Sequence, residues 1–276
     1  MSDFLMSCSC KGRRPKNVAS SVVHSRPHLI ADLLRSRDVA RFLVAPTGFG
    51  KSTVAAEYAQ VVFSFRRTFW ANCESPCFLR DLDAGIIASR VAEIGGAGSL
   101  VVFDDLPRMD ASRVEAFSEV VDELLAAGNE VLVTCAPTCD AYSDLHRDRV
   151  KLSARRFLLT DEEMERTARA TGSPHAKCRA ACVAWGSDDG GRLVAGMAAE
   201  EPPASVLLAA FLMLAMVEGC LSELVPLVGA RHASEAFSLI EEDYPFLGVC
   251  VREDSFDAIA IDIPVLAQGF SRAVDR

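Results

Sequence analysis

The sequence predicts an α/β protein: a parallel sheet of five strands with helices on both faces, followed by a helical region that closes on a small β-ribbon. Three observations predict it. Between residues 41 and 152, short apolar runs without a polar face alternate with stretches of helical periodicity, the pattern of a parallel sheet buried on both sides. A glycine-bearing turn joins the first of these runs directly to the first long helix. At Thr160 the pattern changes and helical spacing takes over to about residue 240.

The chain has 276 residues, room for one large domain or two small ones with an ample core. Half of its residues are hydrophobic and its net charge is −9, which argues against a general nucleic-acid-binding surface. No charged region followed by an apolar one opens the chain, so no secretory signal is expected. The longest apolar run, 206–217, is too short to span a membrane and reads as a core helix. These readings place the protein in the cytoplasm, away from membranes. Of its 10 cysteines, the pairs Cys73/Cys77, Cys135/Cys139 and Cys178/Cys182 share a C-x-x-x-C spacing. They are too dispersed for a compact zinc site and read as free thiols.

Residues 1–20, with Lys11, Arg13, Arg14 and Lys16 and little to bury, read as a mobile basic leader. A helix is expected from Leu29, after Arg26-Pro27. The first strand, 41–45, leads into a turn and a helix over 51–62, and Thr68 opens a second strand over 68–71. A helix over 79–93 is closed by the glycines at 95, 96 and 98. A third strand covers 100–103, a helix 112–127 stops at Gly128-Asn129, and strands follow at 131–134 and 150–152. Thr160 and Glu163 form a capping box, the hydroxyl capping and the carboxylate reaching back. A β-ribbon over 246–251 and 258–263 turns at Glu253-Asp254.

The stretch "FLVAPTGFGKST", residues 42–53, carries the chemistry. Gly48 and Gly50 let the turn curl so that backbone N–H groups converge on an anion at the helix N-terminus, where the helix dipole also favours negative charge. Lys51 then reaches the β- and γ-phosphates and the Ser52 hydroxyl ligates Mg²⁺. The pattern is G-x-x-x-x-G-K-[ST] with Ala45 in place of the first glycine, so the nucleotide contacts expected here are Pro46, Thr47, Gly48, Phe49, Gly50, Lys51, Ser52 and Thr53. The run "LVVFDD", 100–105, completes the set: a buried strand ending in a carboxylate places it at the C-terminal edge of the sheet, beside the phosphates. Asp104 is expected to hold Mg²⁺ with Ser52, and Asp105 to orient or deprotonate the attacking water, with Lys51 as its catalytic partner. Together these residues predict a P-loop NTPase that binds ATP or ADP with Mg²⁺.

At this point the sequence resembles a family. "SRPHLIADLL", "FLVAPTGFGKSTVAAEYA", "LVVFDDLPRMD" and "RFLLTDEEMERTARATG" occur in the order seen in the STAND signal-transduction ATPases, and are most similar to the ATPase region of large LuxR-type transcriptional regulators. The resemblance covers about residues 22 to 270, sharply at the turn and the acidic strand. It implies a P-loop domain over 21–158, a helical lid over 159–203 and a winged-helix-like domain over 204–276. It also implies that Arg26 and His28 lie near the base and ribose, that the protein is an ATP-controlled switch, and that it self-associates on binding ATP. Where the family carries an arginine after the fourth strand this chain has Cys135, so slow hydrolysis is expected; Arg155 or Arg156 would have to replace that arginine. Members of the family continue into a sensor domain and a helix-turn-helix, so DNA contact is not expected from these residues alone. The alternatives are a non-catalytic nucleotide-binding scaffold, another P-loop ATPase, or a helicase-like protein. Trp70 and Trp185 read as packing residues, and His146, His175 and His232 as surface residues.

Overall fold

Residues Ala40–Val44 are buried at every position and form β2, the strand that leads into the glycine turn. On one side β2 pairs in parallel with β5 (Glu130–Cys135), on the other with β6 (Arg149–Leu152). Next to β5 lies β4 (Leu100–Leu106), and next to β4 lies β3 (Thr68–Asn72), all parallel. The sheet order is therefore β3-β4-β5-β2-β6, with β1 (Leu5–Met6) added antiparallel to β3. The five parallel strands are the five expected from the apolar runs. Leu5 and Met6 were expected in a mobile leader and instead form this edge strand. The computed structural model describes residues 5–6, 25–36, 39–45, 49–62, 67–95, 98–137, 149–160, 162–163, 165, 218–220, 229, 231, 249–253 and 256–260.

By contact the chain divides into two compact units, Met1–Val44 with Lys51–Leu152, and Ala45–Gly50 with Ser153–Arg276. In the first, the pleat sorts residues by parity. Phe42, Val44, Phe69, Ala71, Val101, Phe103, Val131 and Val133 face one way. They form one core with Phe78 and Leu82 of α3 (Pro76–Asp83), Val91 of α4 (Ile87–Gly95) and Phe117 of α5 (Ala111–Ala126). The Phe103 and Phe117 rings meet edge-on at 5.0 Å, with Phe78 at 6.3 and 6.2 Å from them. Each such pair adds about 0.5–1.5 kcal/mol beyond burial. This anchors the end of β4 immediately before its carboxylates.

Residues of the other parity face α1 (Pro27–Leu33) and α2 (Lys51–Val62). Here Arg41 is a fully buried cation. Its Nε donates to the Leu33 carbonyl at 2.8 Å, Nη2 to Ser36 at 2.7 Å and Nη1 to Val39 at 3.1 Å, so it satisfies carbonyls at the end of α1 and in the loop that follows. Glu130 pairs with it at 3.2 Å, and the Tyr58 ring lies 5.4 Å from the guanidinium. Burial pushes the Tyr58 hydroxyl well above its ordinary pKa, and it donates to Glu130 at 2.8 Å.

A second expectation over this unit is corrected. The helix expected over 79–93 is two helices, α3 and α4, broken at Ala84–Ile86. Gly85 adopts φ +64°, its N–H bonds to the Leu82 carbonyl and that of Ile86 to Asp81, which is a Schellman cap. The same cap ends α5, where Gly128 and Asn129 bond back to Leu125 and Leu124, at the stop the sequence marks.

In the second unit a 3-10 turn, Ala154–Phe157, precedes the capping box: Thr160 N–H donates to Glu163 Oε2 at 2.8 Å, and Glu163 N–H to Thr160 Oγ1 at 3.3 Å. Farther on, β7 (Glu218–Cys220), β9 (Phe256–Ala260) and β8 (Val249–Glu253) make an antiparallel sheet in that order. The β8–β9 hairpin is the expected ribbon, with Glu253 paired to Phe256; residues 254–255 lie outside the described residues. By contrast, β7 lies where helical spacing was expected; pairing with β9 overrides local periodicity there, at a glycine that favours helix weakly. The run at 206–217 lies outside the described residues.

Candidate functional site

Parity in the parallel sheet decides which side chains share a face. Trp70, Asp104 and Thr134 are out of phase with Phe69, Phe103 and Val133, so they turn away from the α3–α5 core and towards the face that carries α2. They also lie at the C-terminal edge, since Asn72 pairs with Asp104 and Val44 with Cys135. The strand that precedes the glycine turn and the strand that bears the carboxylates are not neighbours. β5 lies between them, so its last residues occupy the gap.

The residues meet on the Asp104 carboxylate, which is 8% exposed. Ser52, on the first turn of α2, donates its hydroxyl to Oδ1 at 2.9 Å across 52 residues of sequence. Thr134, fully buried, donates to the same oxygen at 2.7 Å. The indole N–H of Trp70 donates to Oδ2 at 3.2 Å. A carboxylate inside three converging donors is fixed in orientation. Lys51, the first residue of α2, is 5% exposed, its ammonium carried at the same helix end as Ser52. Thr53 is half-buried on the next position of that helix.

Asp105 sits on a bulge. Between Phe103 and Leu106 the β4–β5 register slips, Phe103 facing Val133 and Leu106 facing Cys135, so β4 carries one residue more than its partner. Asp105 takes up the excess in the left-handed region, φ +54°, a conformation that costs a non-glycine residue about 1–2 kcal/mol. Its N–H donates to Thr134 Oγ1 at 2.8 Å, and its side chain is exposed. One threonine hydroxyl therefore accepts from the bulge and donates to the neighbouring carboxylate. Behind it, the Cys73 N–H bonds to the Asp104 carbonyl at 2.9 Å. Burial first, then Asp104 and Asp105, push the Cys73 thiol well above its ordinary pKa.

Of the turn itself, Pro46, Thr47 and Gly48 lie outside the described residues. Phe49 is buried and Gly50 has φ +82°, where an added Cβ would meet nothing within 4 Å. The Arg26 backbone N–H bonds to the Glu57 carboxylate of α2 at 3.0 and 3.2 Å, and His28 lies half-buried on α1. The segment before the turn is thus tied to the helix after it. Arg155 and Arg156 are exposed on the 3-10 turn. The position after the fourth strand needs restating: the Cys135 side chain belongs to the α3–α5 core, and Thr134 is the β5 residue on the site's face. Sequence reasoning missed Thr134 and treated Trp70 as packing. The available signal was a polar residue near the end of an otherwise apolar strand, "EVLVTC".

The donor set fits Mg²⁺. A hydroxyl and a carboxylate already in contact are hard oxygen ligands, and an ion that keeps several waters and takes phosphate oxygens needs few protein groups. Among the described residues no group of three or more His, Cys, Asp or Glu is placed to hold a metal without such help, and Cys73 and Cys77 are free thiols. No helix among them is long and apolar enough to cross a membrane.

The sheet order, the strand–turn–helix that begins at β2 and the Ser52–Asp104 contact define a P-loop NTPase fold. No family model matches the sequence, and none of the curated proteins is similar to it in sequence. Solved structures to which it is similar in shape include the RuvB Holliday junction branch migration motor of Thermotoga maritima, at 15% identity and a TM-score of 0.43, over 90% of this chain and 93% of that one. Another is the Aeropyrum pernix ORC1 protein in complex with DNA, at 12% identity and a TM-score of 0.40, over 91% and 93%. A third, PCH-2 of C. elegans, has 13% identity and a TM-score of 0.30, over 68% and 60%. Superpositions this loose carry no function across, and the fold assignment stands on this chain's own strand order.

Proposed function

We propose that the protein binds ATP or ADP with Mg²⁺ and hydrolyses ATP slowly, as a nucleotide-controlled switch of the STAND type. The observation that carries the reading is the 2.9 Å bond between Ser52 and Asp104, which joins the two halves of the expected site across 52 residues of sequence. Lys51 and the backbone of the turn take the phosphates, with Arg26 and His28 beside the base and ribose. Ser52 and Asp104 hold the metal, which when bound screens the phosphate charge and polarises the γ-phosphoryl group. Asp105, strained and exposed, orients a water and accepts its proton as the oxygen bonds to the γ-phosphorus and the bond to ADP breaks. Near the end of β5 stand a threonine and a cysteine, neither a cation, so the charge that builds on the γ-phosphoryl group is weakly stabilised. We therefore expect fewer than about one turnover per minute, the regime of unassisted switch NTPases.

The test is turnover. Asp105→Asn, which tolerates the left-handed conformation, is expected to abolish hydrolysis while Mg-nucleotide binding persists. Absence of hydrolysis in the parent, with tight binding retained, would favour a scaffold, the reading that a threonine in place of a cation at the end of β5 supports. A switch further requires differential binding to two states. Hydrogen exchange over 155–200 should then slow with ADP and change again with a non-hydrolysable ATP analogue, whereas identical exchange in all states would remove the switch. The family reading extends to a winged-helix-like region around the β7–β9 sheet and to association on ATP.

A further inference from the structure

A tryptophan at 70 is more than a packing residue needs, because phenylalanine would bury as well without an N–H to satisfy. The indole has one polar atom and it can only donate. Here it donates to Asp104 Oδ2 at 3.2 Å, while both hydroxyls, Ser52 at 2.9 Å and Thr134 at 2.7 Å, go to Oδ1. The arrangement is asymmetric. The torsion that turns an aspartate carboxylate about its Cβ–Cγ bond is soft and carries both oxygens together, so donors on one oxygen alone brace the group from one side only. A rigid bicyclic donor on the second oxygen braces it from the other side. Trp70 can do this because it is fixed on a strand: β3 is locked to β4 by parallel pairing from Thr68↔Leu100 through Asn72↔Asp104, so the ring and the carboxylate ride on one ladder.

We propose that Trp70 is a positioning residue for Asp104: its indole N–H fixes the second carboxylate oxygen and so sets how tightly the site takes its divalent cation. The inference rests on the nucleotide reading above and adds a residue that the glycine turn and the acidic strand do not contain. Partners that orient a metal ligand without touching the metal are commonly worth about 10- to 100-fold in metal affinity.

Two measurements test it. The first compares the parent with Trp70→Phe, titrating Mg²⁺ at fixed ADP and repeating ADP binding in EDTA. The Mg²⁺ concentration for half-maximal binding is expected to rise about tenfold, with affinity in EDTA unchanged, since the phosphate contacts do not involve the indole. A general loss of fold would instead weaken ADP binding in EDTA as well. The second needs no change at Trp70: in a Trp185→Phe protein the remaining indole N–H gives one ¹⁵N–¹H resonance, which should move upfield in Asp104→Asn. An unchanged Mg²⁺ requirement in Trp70→Phe, or an indole resonance indifferent to Asp104, would overturn the proposal while leaving the nucleotide site intact. A parent that binds no nucleotide would end both, with the indole resonance still reporting whether the contact exists.

Discussion

At the scale of the residue, the site is organised around one carboxylate. Lys51, Ser52 and Asp104 were legible because phosphate and magnesium chemistry demand those side chains at that spacing. Thr134 and Trp70 were not, because nothing about a threonine or a tryptophan in an apolar strand names a function; only the phase of the pleat and the order of strands bring them to Asp104. The same phase corrects Cys135, one residue on, whose thiol turns into the opposite core. Thr134 is the more exacting of the two. Its hydroxyl accepts from the Asp105 N–H and donates to Asp104, in a fully buried position. Thr134→Val keeps the shape and removes both bonds, leaving a strained N–H without its acceptor. The expected loss is about 1–3 kcal/mol of stability, read as a fall in the urea midpoint. An unchanged midpoint would mean that the bulge does not depend on this hydroxyl.

At the scale of the element, the five parallel strands, α2 and α5 were readable from periodicity because each meets its neighbours with an unbroken apolar face. The break between α3 and α4 was not. Both it and the end of α5 are Schellman caps on a glycine, yet only Gly128 announced itself, since asparagine and a strand follow it. After Gly85 comes a second helix whose apolar spacing continues that of the first, and periodicity alone reads through the gap. The conformation is left-handed, φ +64°, and an added Cβ would meet nothing within 4 Å. Gly85→Ala therefore isolates the backbone term, with no clash to confuse it. We expect about 1–2 kcal/mol of destabilisation by chemical denaturation. A variant as stable as the parent, or more so, would show that the α3–α4 turn does not require the left-handed residue. The missed strand β7 has a different cause: a three-residue strand is specified by its partner across the sheet, and β9 lies 36 or more residues away.

At the scale of the whole molecule, the strand order carries the end of β4 to the first turn of α2, and in the proposed function the contact formed there serves a nucleotide phosphate and its metal. Ser52 and Asp104 are polar groups drawn together in a mostly buried setting, and Lys51 adds a largely buried positive charge to the same helix end. A protein keeps such groups together at a cost in desolvation, which a bound anion and cation offset. The direct measurement is calorimetric titration of ADP into the parent and into Lys51→Ala, each with and without Mg²⁺. Binding to the parent is expected to be strengthened by Mg²⁺ and weakened about ten- to a hundredfold by removal of the ammonium. Equal affinity of the two proteins for ADP, or no binding to the parent at all, would contradict the proposed function.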